Sequence, residues 1–157
     1  MTNLYFFAHM VGLVLLAAGI GVANYSGIMV GVAKRSSEIA LWSRVNYRIE
    51  HIATLPGALV LLVSGILMVE DRGYSFGDAW ITAAFGLWVL AVVIGAGVLG
   101  RHAKKVHRAA TEAVAAGRED DPEVIRLSSG PLGPILGNLL NLIVVAFLYV
   151  MIYKPGM

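Results

Sequence analysis

The sequence predicts an all-α integral membrane protein, an antiparallel up-down four-helix bundle with both termini on the outer (periplasmic) side of a bacterial inner membrane. Three observations carry this expectation. Four apolar runs, at about 4–32, 52–69, 79–100 and 132–153, are each long enough to cross a hydrocarbon core that takes ~20 helical residues. The charged residues lie between the runs, so no run has the polar face that a soluble helix shows to water. Finally, ten of the 12 Lys and Arg residues fall in the first and third gaps, which the positive-inside bias assigns to the cytoplasm.

Composition agrees with this solvent. The 157 residues are 58% hydrophobic and only 14% charged, with a mean hydropathy of +0.76. That fits one membrane domain over 1–157 rather than a soluble one. The absence of cysteine excludes disulfides, thiolate metal sites, Fe–S clusters and a cysteine nucleophile. The net charge of +2 comes from topological cations and gives no reason to expect nucleic acid. The expected partners are the lipid bilayer and, beyond it, a homo-oligomer or a larger membrane complex.

The first run carries Gly19, Ala23, Gly27 and Gly31 four residues apart, a small-residue ladder that lets a neighbouring backbone approach. Gly133 and Gly137 repeat the device at the start of the fourth run. Both are expected to pack within the bundle. The run is expected to be retained as an anchor, because no basic segment precedes it. The stretch 38–48 mixes Ile39, Leu41, Trp42, Val45 and Tyr47 with charges. It predicts a helix leaving the cytoplasmic headgroup layer, bent near Pro56. Residues 70–78, acidic and containing Gly73 and Gly77, predict a tight outer loop. The third gap, 101–131, predicts a helical extension of the third span that ends at Gly117. A polar break at 118–122 and Ser128-Ser129-Gly130-Pro131 lead to the fourth span, with Pro134 in its first turn.

Gly95-Ala96-Gly97-Val98-Leu99-Gly100 matches a dinucleotide-binding spacing, but no strand precedes it and no parallel sheet follows. It reads as helix packing. The histidines are better candidates, because imidazole ligates haem iron. His9 lies near the outer end of span one. His51 opens span two, His102 closes span three, and His107 lies in the soluble extension. Arg44, Arg48 and His51, spaced four and three apart, make one helical stripe. Such a stripe offers an axial imidazole within the membrane and cations near the headgroups for propionates, with Arg101 and His102 facing it at similar depth. The same arginines also read as positive-inside anchors. Antiparallel packing with Leu4 level with Val69 sets His9 opposite Ser64. At 1.5 Å per residue that is roughly 20 Å from His51, too far for one iron. Asn138 and Asn141 share a face of span four, and Asn24 and Ser26 lie in the lower half of span one. These amides are expected to join helices by hydrogen bonds. No confident metal site is present.

His9 with Gly12 and Gly19, Arg44 and Tyr47 ahead of Pro56 and Gly65, Trp80, Gly100-Arg101-His102, Asn138 and Lys154-Pro155 together form a pattern. It resembles an uncharacterised bacterial family of small predicted integral membrane proteins, grouped with CopD-type copper-resistance proteins and HemJ-type protoporphyrinogen oxidases. The resemblance covers most of the chain. It implies a four-helix bundle and permits a b-type haem, with His9 matching the first-span histidine. The HemJ arginine late in span one is Tyr25 here. Its early span-three lysine is Ala84, and the methionine before the span-two proline is Thr54. The resemblance therefore carries the fold and a haem rather than the oxidase reaction, and no enzymatic activity is assigned. The expected function is a small inner-membrane protein that binds haem b in an electron-transfer or haem-related role, with His9, His51, His102, Arg44 and Arg48 as the candidate site. The alternative is a non-catalytic accessory or transport-related component without cofactor.

Overall fold

The computed structural model describes residues 2–156, and among these residues every regular element is helical. Helix α1 spans Thr2–Val32. Helix α2, Ser36–Ile49, runs through a π-helical turn at Glu50–Thr54 into α3, Leu55–Asp71. Helix α4, Ala79–Val92, continues through a second π-helical stretch, Val93–Leu99, into α5, Gly100–Ala115. A short helix α6, Pro122–Ser128, precedes α7, Leu132–Tyr153. Four helical stretches are long and apolar enough to cross a membrane, beginning at Asn3, Ser36, Ala79 and Pro122. The expected bundle is present, and its second and third spans extend well beyond the lipid-length apolar runs.

The π turns were not foreseen, although span two was expected to bend near Pro56. Pro56 has no N–H for the carbonyl four residues back, and its ring crowds that carbonyl. Widening the preceding turn relieves the conflict, and the Leu55 amide bonds back to Glu50 O. In the second stretch the Gly100 amide bonds to Gly95 O. The Arg101 guanidinium bonds to Gly97 O one turn behind it. The glycine-rich motif is thus a helical distortion, as its reading as packing rather than a phosphate loop expects.

Burial on α1 follows a period of seven rather than four. Gly12, Gly19, Ser26 and Ala33 are all buried, while Gly27 faces open space. A seven-residue repeat keeps one seam facing a neighbour that crosses at a shallow angle. Opposite it, Gly57 and Ser64 are buried seven apart on α3. A Cβ placed on Gly57 would lie 2.6 Å from Leu16 N and 3.0 Å from Gly12 O. One placed on Gly19 would lie 2.9 Å from Thr54 N. The glycines bring the two backbones into direct contact, the device by which helices associate in lipid. Of the four-residue ladder, Gly19 packs in this way and Gly27 does not. Gly133 and Gly137 also have open space beside them. The expectation that all of these glycines pack within the bundle is therefore met only in part.

Two buried clusters close the ends. At the basic end Ala33, Ile39, Val106, Ala110, Ala113 and Val124 draw together α1, α2, α5 and α6. Gly117, at φ 70°, ends α5 in a left-handed turn that most side chains avoid. Asp121 Oδ1 then accepts from the Glu123 and Val124 amides and starts α6 at Pro122. This helix was missed in the sequence because its seven residues are too short a run to stand out between the polar break at 118–122 and the lead into span four at 128–131. Glu119 fastens the connection to the start of α2. Its carboxylate accepts from Ser37 Oγ at 2.8 Å and Ser37 N at 3.3 Å, and its carbonyl accepts from Ser36 N at 2.7 Å. The Ser37 bonds, and more weakly Arg35, hold the Glu119 carboxyl below its ordinary value. At the opposite end Val69, Trp80 and Ile81 are buried together. Lys154 Nζ donates to Tyr74 Oη at 3.0 Å and lies over the Tyr74 and Trp80 rings, 4.9 and 5.3 Å from their centroids. That bond and the ammonium charge push the Tyr74 phenol below its ordinary value.

Candidate functional site

The predicted stripe exists. Arg44 and Arg48 on α2 and His51 at the π turn are all exposed. His51 Nδ1 lies 2.8 Å from the Tyr47 carbonyl oxygen. A carbonyl only accepts, so Nδ1 carries the hydrogen and Nε2 is left with its lone pair. This is the tautomer and orientation that a histidine uses to bind a metal through Nε2. The Tyr47 ring lies 4.3 Å from the imidazole, centroid to centroid, and helps to fix its orientation. One imidazole with Nε2 free thus shares an exposed helix face with two guanidinium groups. Among the described residues no group of three or more His, Asp or Glu side chains could hold a bare metal ion.

The other histidines are distributed differently from expectation. Gly100, Ala103, Lys104 and His107 are the α5 residues that line the cleft against α2. At ~100° per residue, His102 lies on the far side of α5 from that face. It is half-buried and shares a stripe with Val106 and Ala113, which enter the basic-end cluster. His102 therefore does not face His51. His107 takes that place: its ring lies 6.4 Å from Tyr47, with a 9° interplanar angle. His107 Nδ1 is also 2.8 Å from Ser43 Oγ, while Ser43 donates its own proton to Ala40 O at 3.1 Å. The placement of His107 in the soluble extension concealed this. The available signal was its seven-residue spacing from Gly100, a packing glycine.

His9 lies where antiparallel packing set it. Its Nδ1 is 3.0 Å from Ser64 Oγ, with Gly65 beneath the ring. Ser64 is 13 positions along the helix from His51, roughly 20 Å at 1.5 Å per residue. The two imidazoles thus belong to separate places in the bundle. The amide expectation holds for one pair, since Asn24 Nδ2 donates to Asn141 Oδ1 at 3.0 Å across α1 and α7.

Sequence reasoning also passed over Glu50. It lies one residue before His51, within the first π turn, and is half-buried. A Cβ on Gly100 would lie 3.7 Å from Glu50 Oε1, so this carboxylate lies beside the start of α5. Ser43, Asn46, Tyr47, Glu50, Lys104 and His107 surround a cleft of about 10 Å3, close to the space one water needs.

Four apolar transmembrane-length helices, with polar side chains gathered at the helix contacts, define a multi-pass integral membrane protein that sits in the lipid bilayer. The chain belongs to the family described as "Predicted integral membrane protein (DUF2269)", whose model matches residues 4–155. No curated protein and no solved structure matches the chain.

Proposed function

We propose that the protein is a small inner-membrane haem b protein with an electron-transfer or haem-related role, and that His51 would hold the haem iron. One observation supports this above the others. The His51 Nδ1–H is committed to the Tyr47 carbonyl, which leaves Nε2 as a donor on an exposed membrane face. Arg48 and Arg44 lie one and two turns toward the basic end, where propionates would meet them. When bound, haem would supply one-electron chemistry. The chain's own part is to orient the imidazole through Tyr47 and to match the propionate charge. His102 is turned away and His9 lies too far off, so neither would join His51 in holding the group. In this reading the cation-rich gaps are cytoplasmic and both termini are periplasmic. An absorption spectrum of the full-length protein, purified from haem-replete cells, tests the proposal. A Soret band lost in His51→Ala and kept in His9→Ala and His102→Ala is expected. A wild-type sample without that band overturns the proposal.

A second reading, an accessory subunit without cofactor, rests on the open glycine surfaces. Gly27 on α1 and Gly133 and Gly137 on α7 have no neighbour within 4 Å. A partner helix retained in mild detergent and displaced by Gly137→Leu, with no Soret band, would favour it over haem binding.

A further inference from the structure

We propose that the protein pairs with a second copy of itself through the lipid face of α7, with the Asn138 amides of the two copies hydrogen-bonded to each other. A single side chain carries the inference. Asn138 is exposed on α7, inside the fourth apolar run. Among the described residues it has no hydrogen-bond partner, whereas the other two asparagines of the apolar runs, Asn24 and Asn141, are bonded to each other. Their bond also sets the depth of Asn138. Helices α1 and α7 are antiparallel, with Asn24 opposite Asn141 and Gly31 nearer the start of α7, so Asn138 is level with Gly27. Gly27 is seven residues from Lys34, and Asn138 is seven from Pro131. The amide therefore lies roughly 10 Å inside the basic end of both helices. Asparagine is far shorter than the Lys and Arg side chains that snorkel, and it does not reach the headgroups from that depth. An amide facing acyl chains gives up its hydrogen bonds to water and finds no replacement in hydrocarbon.

The surrounding face points to the occupant. Ile135, Asn138, Leu142, Val145, Tyr149 and Ile152 follow one another at steps of three and four, and all are exposed. Ile135, Leu142 and Val145 are 62%, 64% and 61% exposed. Such spacing is the seam of two helices that cross at a shallow angle. Its apolar members alone do not call for a partner, because acyl chains suit them as well as protein does. The amide does call for one, and it is its own complement. It carries both N–H donors and an acceptor oxygen, so a twofold axis beside Asn138 lets each copy donate to and accept from the other. Both copies cross the bilayer in the same sense, so the axis lies along the membrane normal and the two α7 helices run parallel. No seam residue is charged, and like positions meet without repulsion. One asparagine in an otherwise apolar seam also fixes the register, since a slipped pairing would strand both amides. The rest of the bundle leaves this face free. The second π stretch packs on the opposite side of α7, where Leu140 covers Gly95, and α1 approaches at Asn141. At ~100° per residue, Gly133 and Gly137 lie off the seam. The pairing uses none of Arg44, Arg48 and His51 and holds with or without haem.

The test uses the full-length protein, which has no cysteine of its own. In native membranes, single Ile135→Cys and Leu142→Cys variants treated with an oxidant should form disulfide-linked dimers, because the axis brings like positions together. Leu59→Cys, comparably exposed on α3, should not. A linked product whose mass is not twice that of the chain identifies a different partner and overturns the second copy. Energy transfer between two dye-labelled populations, joined through an appended terminal cysteine and diluted in liposomes, then gives the dimer dissociation constant. Asn138→Leu should raise it ~10-fold or more through the loss of two interhelical hydrogen bonds, while leaving the helical circular dichroism unchanged. Asn138→Gln should keep much of the affinity. Absence of energy transfer at every dilution, or equal dissociation constants for the wild type and Asn138→Leu, overturns the proposal.

Discussion

Substituting Gly57 by alanine should weaken the bundle, and the geometry gives the size of the effect. The added Cβ would lie 2.6 Å from Leu16 N and 3.0 Å from Gly12 O. Non-bonded heavy atoms prefer ~3.5 Å or more, so α1 and α3 must separate by nearly 1 Å at their closest point. Both contacts are backbone atoms, and no rotamer change relieves them. Overpacking of this kind costs ~1–3 kcal/mol, against ~1 kcal/mol gained from the helix propensity of alanine. Gly27→Ala gains the same propensity and meets nothing within 4 Å. The difference between the two variants therefore isolates the steric cost and should be ~1–3 kcal/mol. At ~2–4 °C per kcal/mol for a chain of this size, Gly57→Ala should melt several degrees below Gly27→Ala in the same detergent. Circular dichroism with heating provides the assay. Equal melting temperatures would refute the packing argument, because they would mean that the α1–α3 seam is not in backbone contact.

Three further outcomes follow from other contacts. A double-mutant cycle on Asn24→Leu and Asn141→Leu should return a coupling of ~0.6–2 kcal/mol from unfolding in mixed micelles, since each single change strands one amide of the 3.0 Å bond. The Glu119 carboxyl is held below its ordinary value by Ser37 and Arg35, so its contribution is fully present above the unfolded pKa near 4.5 and is lost as pH falls through the lower folded value. Limited proteolysis of the 116–130 connection should accelerate over that acid range in the wild type, whereas Glu119→Gln should be cut readily at neutral pH as well. Lys154→Met should remove the hydrogen bond to Tyr74 and the ring contacts, at ~0.5–2 kcal/mol, and should change tryptophan emission from Trp80. Lys154→Arg should preserve much of that emission.

The histidines show how far the site could be read in advance. The level of His9 with Ser64 followed from antiparallel pairing and the rise per residue, because a long straight helix propagates register reliably. The stripe of Arg44, Arg48 and His51 followed from helical spacing within one element. The partners across α2 and α5 did not follow, since facing positions depend on helix rotation. That rotation is altered by the π stretches at Glu50–Thr54 and Val93–Leu99. A one-residue change in turn size moves a side chain far round the axis, which is how His107 and not His102 comes to meet Tyr47.

By itself the sequence determined the solvent, the number of spans and the gathering of cations in two gaps. Hydrophobic length and charge act locally, and a bilayer leaves few other solutions. Only the tertiary structure decided which small residues form seams, that Gly12, Gly19, Ser26 and Ala33 are buried while Gly27 is open, and that Glu50 meets Gly100 in a polar cleft. In lipid, apolar side chains do not by their hydrophobicity distinguish a neighbouring helix from an acyl chain, so close packing and hydrogen bonds choose the faces. Those interactions depend on rotations of the helices about their axes, which no single run of residues specifies.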